Sequence, residues 1–319
     1  MTATAAAGGA VPAEGWTELC QAQTLHLQAS DALLGPIPAP EDEPKDVLSV
    51  DGPEGRLWGI QRRANLSADD PTSLWGPALR EILQVRYAAT PSPSAIAALL
   101  EQWLARLAAE GTTGTGDRTA ILRLPAVETA FVRPLLAAGF APQTTTAITL
   151  VRPLPERPAT DGLVLRTPEP ADREALLDLT EDMLASDIAA GSAWPRPQSR
   201  TLLAHYVDEL LGFDTGWAYL AEDASGPIGL ITLDPPEHCE WAAPSTSVRP
   251  VVYLGLAAVT PRARQQGVGR RLVETVHRQA ARTGQQAILL DHASLSPLST
   301  PFWHRNGYRP LWTTWLRPL

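Results

Sequence analysis

The stretch Leu254-Gly255-Leu256-Ala257-Ala258-Val259-Thr260-Pro261-Arg262-Ala263-Arg264-Gln265-Gln266-Gly267-Val268-Gly269-Arg270-Arg271-Leu272 runs an apolar segment into a loop of the form Arg-x-x-Gly-x-Gly and opens at once into a helix. Val251 to Val259 is an apolar run bounded by turn signals, which predicts a buried strand. From Val268 on, Val268, Leu272, Val273, Val276 and Ala280 share one helical face, and Gly284 supplies a stop after Arg282. Between the two, glycines let the backbone approach a bulky anion. The free N–H groups of the helix's first turn point at that anion with the positive end of the macrodipole behind them. A diphosphate is the natural guest, and Arg264 and Arg270 are placed to add charge-assisted contacts. An isolated Gly-x-Gly is also compatible with a tight strand-to-helix turn. The loop is not a dinucleotide fingerprint, lacking the third spaced glycine, and not a P-loop, lacking Gly-Lys-Ser/Thr.

On either side of this loop the pattern is that of a mixed α/β domain. Leu163 to Arg166 reads as a short strand, Pro168 to Arg173 as a helix start with acid in its first turn, and Gln198 to Leu211 as a second helix. Gly216 to Glu222 and Pro227 to Leu233 form a hairpin across Asp223-Ala224-Ser225-Gly226. Downstream, Ala287 to Asp291 predicts a buried strand, Thr300 to Arg305 a short helix and Tyr308 to Leu316 a last strand.

The first half ends in a weaker copy of this order: a helix over Ala95–Ala109, a loop over Gly111–Gly116, a strand over Thr119–Leu124, a helix over Val132–Ala138 and a strand over Ala147–Val151. Leu136-Ala137-Ala138-Gly139-Phe140 parallels His304-Arg305-Asn306-Gly307-Tyr308, with Gly139 and Gly307 168 positions apart, one domain length. Three prolines between Arg152 and Pro158 mark a stiff linker. The expected division is a disordered tail over 1–15, a first domain over 16–155, a linker over 156–162 and a second domain over 163–319.

The chain has 319 residues, is 44% hydrophobic and 19% charged, and carries a net charge of −9. These values describe a globular protein and argue against a general nucleic-acid binder, which needs clustered Lys and Arg. An acidic surface also attracts cationic amines. No apolar run approaches the ~18 residues of a membrane span. Two distant cysteines, Cys20 and Cys239, form neither a disulfide framework nor a metal site, which suits a reducing cytoplasm.

Taken with Phe302-Trp303-His304-Arg305-Asn306-Gly307-Tyr308, the Arg264 to Gly269 loop resembles the pyrophosphate signature and C-terminal element of the GNAT superfamily of acyl-CoA N-acyltransferases. The resemblance implies an α/β fold of two tandem GNAT-like domains, each a mixed, mostly antiparallel sheet flanked by helices. The first copy is degenerate: its loop reads Tyr87-Ala88-Ala89-Thr90-Pro91-Ser92-Pro93-Ser94-Ala95, without glycine and with prolines that lack donors. It is expected to bind no acyl-CoA and to shape one wall of the acceptor site.

By the same resemblance, the backbone of Leu256, Ala257, Ala258 and Val259 would bond the pantetheine arm of acetyl-CoA, and a main-chain N–H near Ala257 or Ala258 would face the oxyanion. Arg264, Gln265, Gln266, Gly267, Val268, Gly269 and Arg270 would cradle the pyrophosphate. Ser296 stands at the family's cofactor-side Asn, Phe302 lines the cofactor, and Trp303 replaces the family's general-acid Tyr. An indole has no usable acid–base pKa, leaving Tyr308, Ser296, water or unassisted departure for the thiolate. For the general base, Asp234, Glu237, His238, Glu240, Asp291 and His292 are in reach, with Glu237 and His238 the first choices.

The expected activity is N-acetyl transfer from acetyl-CoA to a primary amine of a small molecule or peptide, without metal, nucleic acid or membrane. A homodimer stays open. The alternatives are transfer of a longer acyl or aminoacyl group, and a non-catalytic acyl-CoA-binding module.

Overall fold

The computed structural model describes residues 13–111, 117–152, 162–212 and 216–319. The expected linker lies mostly outside these residues, as does most of the expected tail, although a helix already begins at Ala13. In chain order the elements of the first half are α1 (Ala13–Ser30), β1 (Val47–Gly52), β2 (Gly55–Asn65), β3 (Leu79–Arg86), α2 (Pro93–Ala109), β4 (Arg118–Pro125), α3 (Val132–Ala137) and β5 (Ala141–Leu150). The second half holds β6 (Val164–Arg166), α4 (Arg173–Ala189), α5 (Ser199–Leu211), β7 (Ala218–Asp223), β8 (Gly226–Thr232), β9 (Val251–Leu254), β10 (Ala257–Val259), α6 (Val268–Arg282), β11 (Ala287–Ala293), α7 (Ser299–Arg305) and β12 (Arg309–Pro318).

Local chemistry sets the helix starts. Ser92 caps α2, its Oγ accepting the Ala95 N–H at 3.4 Å with Pro93 following. Before α4, Glu169 and Asp172 form a capping box. Helix α6 buries Val268, Leu272, Val273, Val276 and Ala280, the stripe read from sequence.

Among the described residues the strands form a sheet of order β1-β2-β3-β4-β12-β5-β11-β9 and a smaller one of order β10-β8-β7-β6. Strand order crosses the linker twice. The last strand of the second half, β12, pairs with β4 of the first, Thr313 opposite Leu124. The last strand of the first half, β5, pairs with β11 of the second, Thr146 opposite Asp291. The cores follow the exchange: Trp315 of β12 packs with Trp103, Leu122 and Phe131 under α2 and α3, while Ala147 of β5 packs with Val252, Leu254, Val276 and Leu290 under α6. Both exchanged strands follow a left-handed glycine that ends the preceding helix, Gly139 at φ 82° and Gly307 at φ 87°.

Strand β5 begins earlier than its sequence suggests, because Gln143 to Thr146 are polar. Their backbone is paired on both sides, with β11 and β12, so β-branched threonines suffice without an apolar pattern. The predicted continuous strand from Val251 to Val259 is two strands belonging to two sheets. β9 runs parallel to β11 over Val251–Leu254 and stops; β10 pairs with β8. Strands β3 and β4 show the same arrangement, parallel over Leu79–Ile82 and Arg118–Ile121 only.

Candidate active site

The break between β9 and β10 has a visible cause. Thr232 takes the chain away from β11: its Oγ1 accepts the Leu256 N–H at 2.9 Å, its carbonyl the Gly255 N–H at 3.2 Å, and its own N–H donates to Leu256 O at 2.9 Å. Position 255 must be glycine, since a Cβ there would stand 2.6 Å from both Asp234 Oδ1 and the Tyr206 hydroxyl. Hydrogen-bonded pairs alternate along an antiparallel ladder. With Leu256 bonded to Thr232 and the Thr260 N–H to Ile228 O at 2.9 Å, Ala258 also faces β8, while Ala257 and Val259 turn their backbone groups to the gap beside β11. Of the four residues named from the resemblance, Leu256 and Ala258 therefore spend their backbone on β8. The Val259 carbonyl accepts Arg264 Nε at 3.2 Å, which leaves Ala257 N–H and C=O and Val259 N–H toward the gap.

The loop that follows is exposed from Arg264 to Gly267, and Val268 plugs into the core. Gln265 is left-handed at φ 65°, as is Gly267, the N-cap of α6, at φ 83°. No side chain caps this helix, and a Cβ at Gly267 would meet only open space within 4 Å. The first-turn N–H groups of Val268, Gly269 and Arg270 have no intrahelical acceptor. An uncapped, unobstructed helix start of this kind fits a diphosphate. Gln266 Nε2 bonds Arg262 O at 2.8 Å and Arg270 Nε bonds Glu274 at 3.1 Å, both on the solvent side. Phe302 lies against Gly269, its ring 3.2 Å from where a Cβ would stand.

Trp303 is a core residue, buried and edge-on to Phe302 and Tyr308 at centroid distances of 4.9 and 5.2 Å. Tyr308 is buried as well, and its hydroxyl stands 3.1 Å from His277 Nε2 inside the core, which removes it from the thiolate candidates. Burial lowers the His277 pKa to about 4, partly opposed by Glu274. Ser296 Oγ accepts the N–H groups of Leu298 and Ser299 at 3.3 and 3.1 Å, so its first task is to shape the entry to α7. His292 is buried beside Thr300, Nδ1 3.3 Å from its hydroxyl.

Asp234 is the carboxylate that the fold brings to the break. It follows β8, bridges to Tyr253 through its N–H at 2.7 Å, and accepts from the Tyr206 hydroxyl of α5 at 3.4 Å. Burial pushes its pKa up to about 7; the Tyr206 bond and His238 lower it, and Glu209 raises it. Glu237 and His238 occupy the next turn and are exposed, with His238 Nδ1 3.6 Å from Glu209. Asp291, one residue past the end of the β9–β11 pairing, is exposed in the mouth of the gap. Sequence reasoning placed Asp234 among several loop acids; its partner, Tyr206, comes from a distant helix, and only the fold joins them.

The equivalent place in the first half is filled. The N–H of Ser92 donates to the Glu54 carboxylate at 3.1 Å, and Ser92 caps α2. The helix start thus already holds a negative group. Beside the β3–β4 divergence, Gln23 of α1 donates to the Val85 carbonyl at 3.5 Å.

The sequence profile of the acetyltransferase (GNAT) domain matches residues 214–310, a span that contains the break, the loop and α7. The chain is 30% identical over 142 residues to the D-amino-acid N-acetyltransferase HPA3 of Saccharomyces cerevisiae, covering 43% of this chain and 81% of that protein. The crystal structure of a GCN5-related N-acetyltransferase from Sphaerobacter thermophilus superimposes with a TM-score of 0.56 at 15% identity, over 97% of this chain and 94% of that one. A GCN5-related N-acetyltransferase from Kribbella flavida aligns at 16% identity and a TM-score of 0.41, over 84% of this chain and 86% of that one. The chain belongs to the GNAT superfamily and is an acyl-CoA-dependent acyltransferase. Among the described residues no cluster of metal ligands occurs and no helix is long and apolar enough to cross a membrane.

Proposed function

We propose that the chain moves an acetyl group from acetyl-CoA to a primary amine by direct attack. The observation that carries this is the gap between β10 and β11, where Ala257 turns its N–H and C=O outward and the strand leads into the uncapped first turn of α6. Arg264 to Arg270 would hold the diphosphate, Ala257 and Val259 the pantetheine arm, and Phe302 the wall beside Gly269. Bound there, the thioester supplies the acyl group and a thiolate that leaves unassisted, since an ordinary thiol has a pKa of ~8.5. The Ala257 N–H faces the developing oxyanion.

Asp234 takes the proton of the arriving ammonium. A carboxyl titrating near neutrality suits that task, because at pH 7 it is available as a base and still strong enough to hold a proton. Exposed His238 and Glu237, one turn on, pass the proton to water. The first half binds no acyl-CoA and serves as the opposite wall. The activity named for the yeast relative, N-acetylation of D-amino acids, supports an amine as acceptor class.

Thiol release from acetyl-CoA with a panel of primary amines tests the reading. Amine-dependent release that falls in Asp234→Asn is expected. Coenzyme A uptake without release under any amine would leave a non-catalytic binding module instead.

A further inference from the structure

On the α1 side of the large sheet, at the mouth of the cofactor gap, two opposite charges stand close together without forming an ion pair. Arg123 comes from β4 of the first half. Its Nη2 donates to Thr146 Oγ1 at 3.2 Å and Ser245 Oγ at 2.9 Å, and its guanidinium lies over the Trp312 ring, 4.9 Å from the centroid. Thr146 stands directly opposite Asp291 in the β5–β11 pairing, and such cross-strand neighbours have Cβ atoms about 5 Å apart. The guanidinium therefore ends one side chain away from the Asp291 carboxylate. Among the described residues no carboxylate is within ion-pair distance of Arg123, and only Nη2 of its nitrogens has a protein acceptor.

Water reaches Arg123, which is exposed, yet surrounding protein lowers its pKa, burial first, with Asp291 and Tyr253 opposing. Tyr253 completes the group: its phenol feels both Asp291 and Asp234, and Trp241, 62% exposed, tilts over its ring at 4.7 Å. Asp291 thus stands beside a guanidinium with donors to spare, and Tyr253 lies between Asp291 and the proposed base.

We infer that Arg123 is a specificity residue that binds a carboxylate on the amine acceptor, so that the substrates are small amino acids rather than simple amines or peptide N-termini. This rests on the amine-acceptor reading above. The ammonium sits beside Asp291, and the carboxylate takes the free donors of Arg123, which a planar guanidinium offers in a fork. Thr146 of β5, which holds the guanidinium, and Asp291 of β11 stand on neighbouring strands about 5 Å apart, a separation that one amino acid spans and the two ends of a peptide do not. The strand exchange explains why a first-half residue stands beside the second half's site: the Arg123 side chain reaches from β4 across β12 to Thr146 of β5, the cross-strand neighbour of Asp291.

The test has two separate readouts. Calorimetric titration of the coenzyme A-loaded protein with N-acetylated alanine, leucine and phenylalanine, in both enantiomers, is compared with their carboxamides. The acids are expected to bind at least tenfold more tightly, because their carboxylate makes charge-assisted hydrogen bonds that a carboxamide cannot. In Arg123→Gln the two sets should bind alike, and Arg123→Lys should recover part of the preference. Equal binding of acids and carboxamides to the wild type, which needs no variant, overturns the inference, as does a preference that survives Arg123→Gln. Acetylation of the matching free amino acids and amino-acid amides is read in parallel. Turnover of both without distinction rejects the carboxylate role while leaving amine acetylation standing; turnover of neither overturns the amino-acid inference, and release with the wider amine panel then decides amine acetylation itself.

Discussion

The Tyr206 hydroxyl donates to Asp234 at 3.4 Å, joining α5 to the end of β8 at the point where the sheet divides. The bond favours the ionised carboxyl, against burial and Glu209, with His238 acting in the same sense as Tyr206. As a base Asp234 must be deprotonated, so kcat/KM is expected to rise with pH through a midpoint near 7. Asp234→Asn should remove the limb and lower kcat by about 10²-fold or more. Tyr206→Phe takes away a stabilising donor and should move the midpoint upward. A pH–rate profile of the three proteins checks both.

The same shift carries a stability consequence of opposite sense. The folded pKa of Asp234 is raised to about 7 from the 3.8 of an ordinary aspartate, so between these values the folded state holds a proton that the unfolded state has released. The stability tied to this group is complete below the unfolded pKa and is lost as pH rises through the folded one. Asp234→Asn, which cannot ionise, should therefore gain in melting temperature relative to the wild type between pH 5 and pH 8. Paired thermal scans at the two values measure it.

Gly255→Ala would set a methyl 2.6 Å from Asp234 Oδ1 and the Tyr206 hydroxyl. Overpacking of this kind costs about 1–3 kcal/mol, and here relief must come from the two groups that define the base. Loss of stability together with a displaced pH midpoint is expected, whereas coenzyme A affinity, set by the loop after β10, should change less. Denaturant melts and calorimetry on one preparation separate the two effects.

How far the sequence reaches is plain from these residues. The α6 stripe, the Gly267–Gly269 loop and the two helix-ending glycines are local patterns, set by a 3.6-residue period or by backbone freedom, and one sequence displays them. Asp234 with Tyr206, Thr232 with Leu256 and Arg123 with Thr146 are meetings of distant segments, and composition near each partner is silent about the other. The break between β9 and β10 has no local signal, since Val251 to Val259 reads as one apolar run. Thr144 to Thr146 fall outside the strand read over Ala147–Val151 because strand identity there comes from pairing on both sides. The exchange of β5 and β12 was hidden for the same reason: each half carries the strands of a complete sheet of its own.

At the loop, Gly267 and Gly269 should fail in different ways. Gly267→Ala meets no neighbour within 4 Å, but its φ of 83° is left-handed, so the expected cost is backbone strain of about 1–2 kcal/mol. Gly269→Val drives a branched side chain at the Phe302 ring, already 3.2 Å from a Cβ, and should shift Phe302. Both variants, and Arg264→Glu, are expected to weaken coenzyme A binding about tenfold or more, because the anion loses amide approach or gains a repelling charge. Unchanged calorimetric affinity in all three would remove the diphosphate from this loop.

The exchanged strands make a last expectation about the division of the chain. A fragment of residues 162–319 keeps α6 and β11 but loses β5, leaving β11 with β9 on one side and a bare edge on the other, and leaves β12 without either of its partners. Trp315, which packs with Leu122 and Phe131 of the first half, would be stripped of its contacts; deleting such a side chain typically costs about 3–5 kcal/mol. Unpaired apolar edges are also sites of aggregation. The fragment is therefore expected to be insoluble alone and to recover when 1–161 is produced with it, the two pieces co-purifying and binding coenzyme A with near-native affinity. A soluble, cooperatively melting 162–319 fragment would show instead that β12 can fold back beside β11 in place of β5.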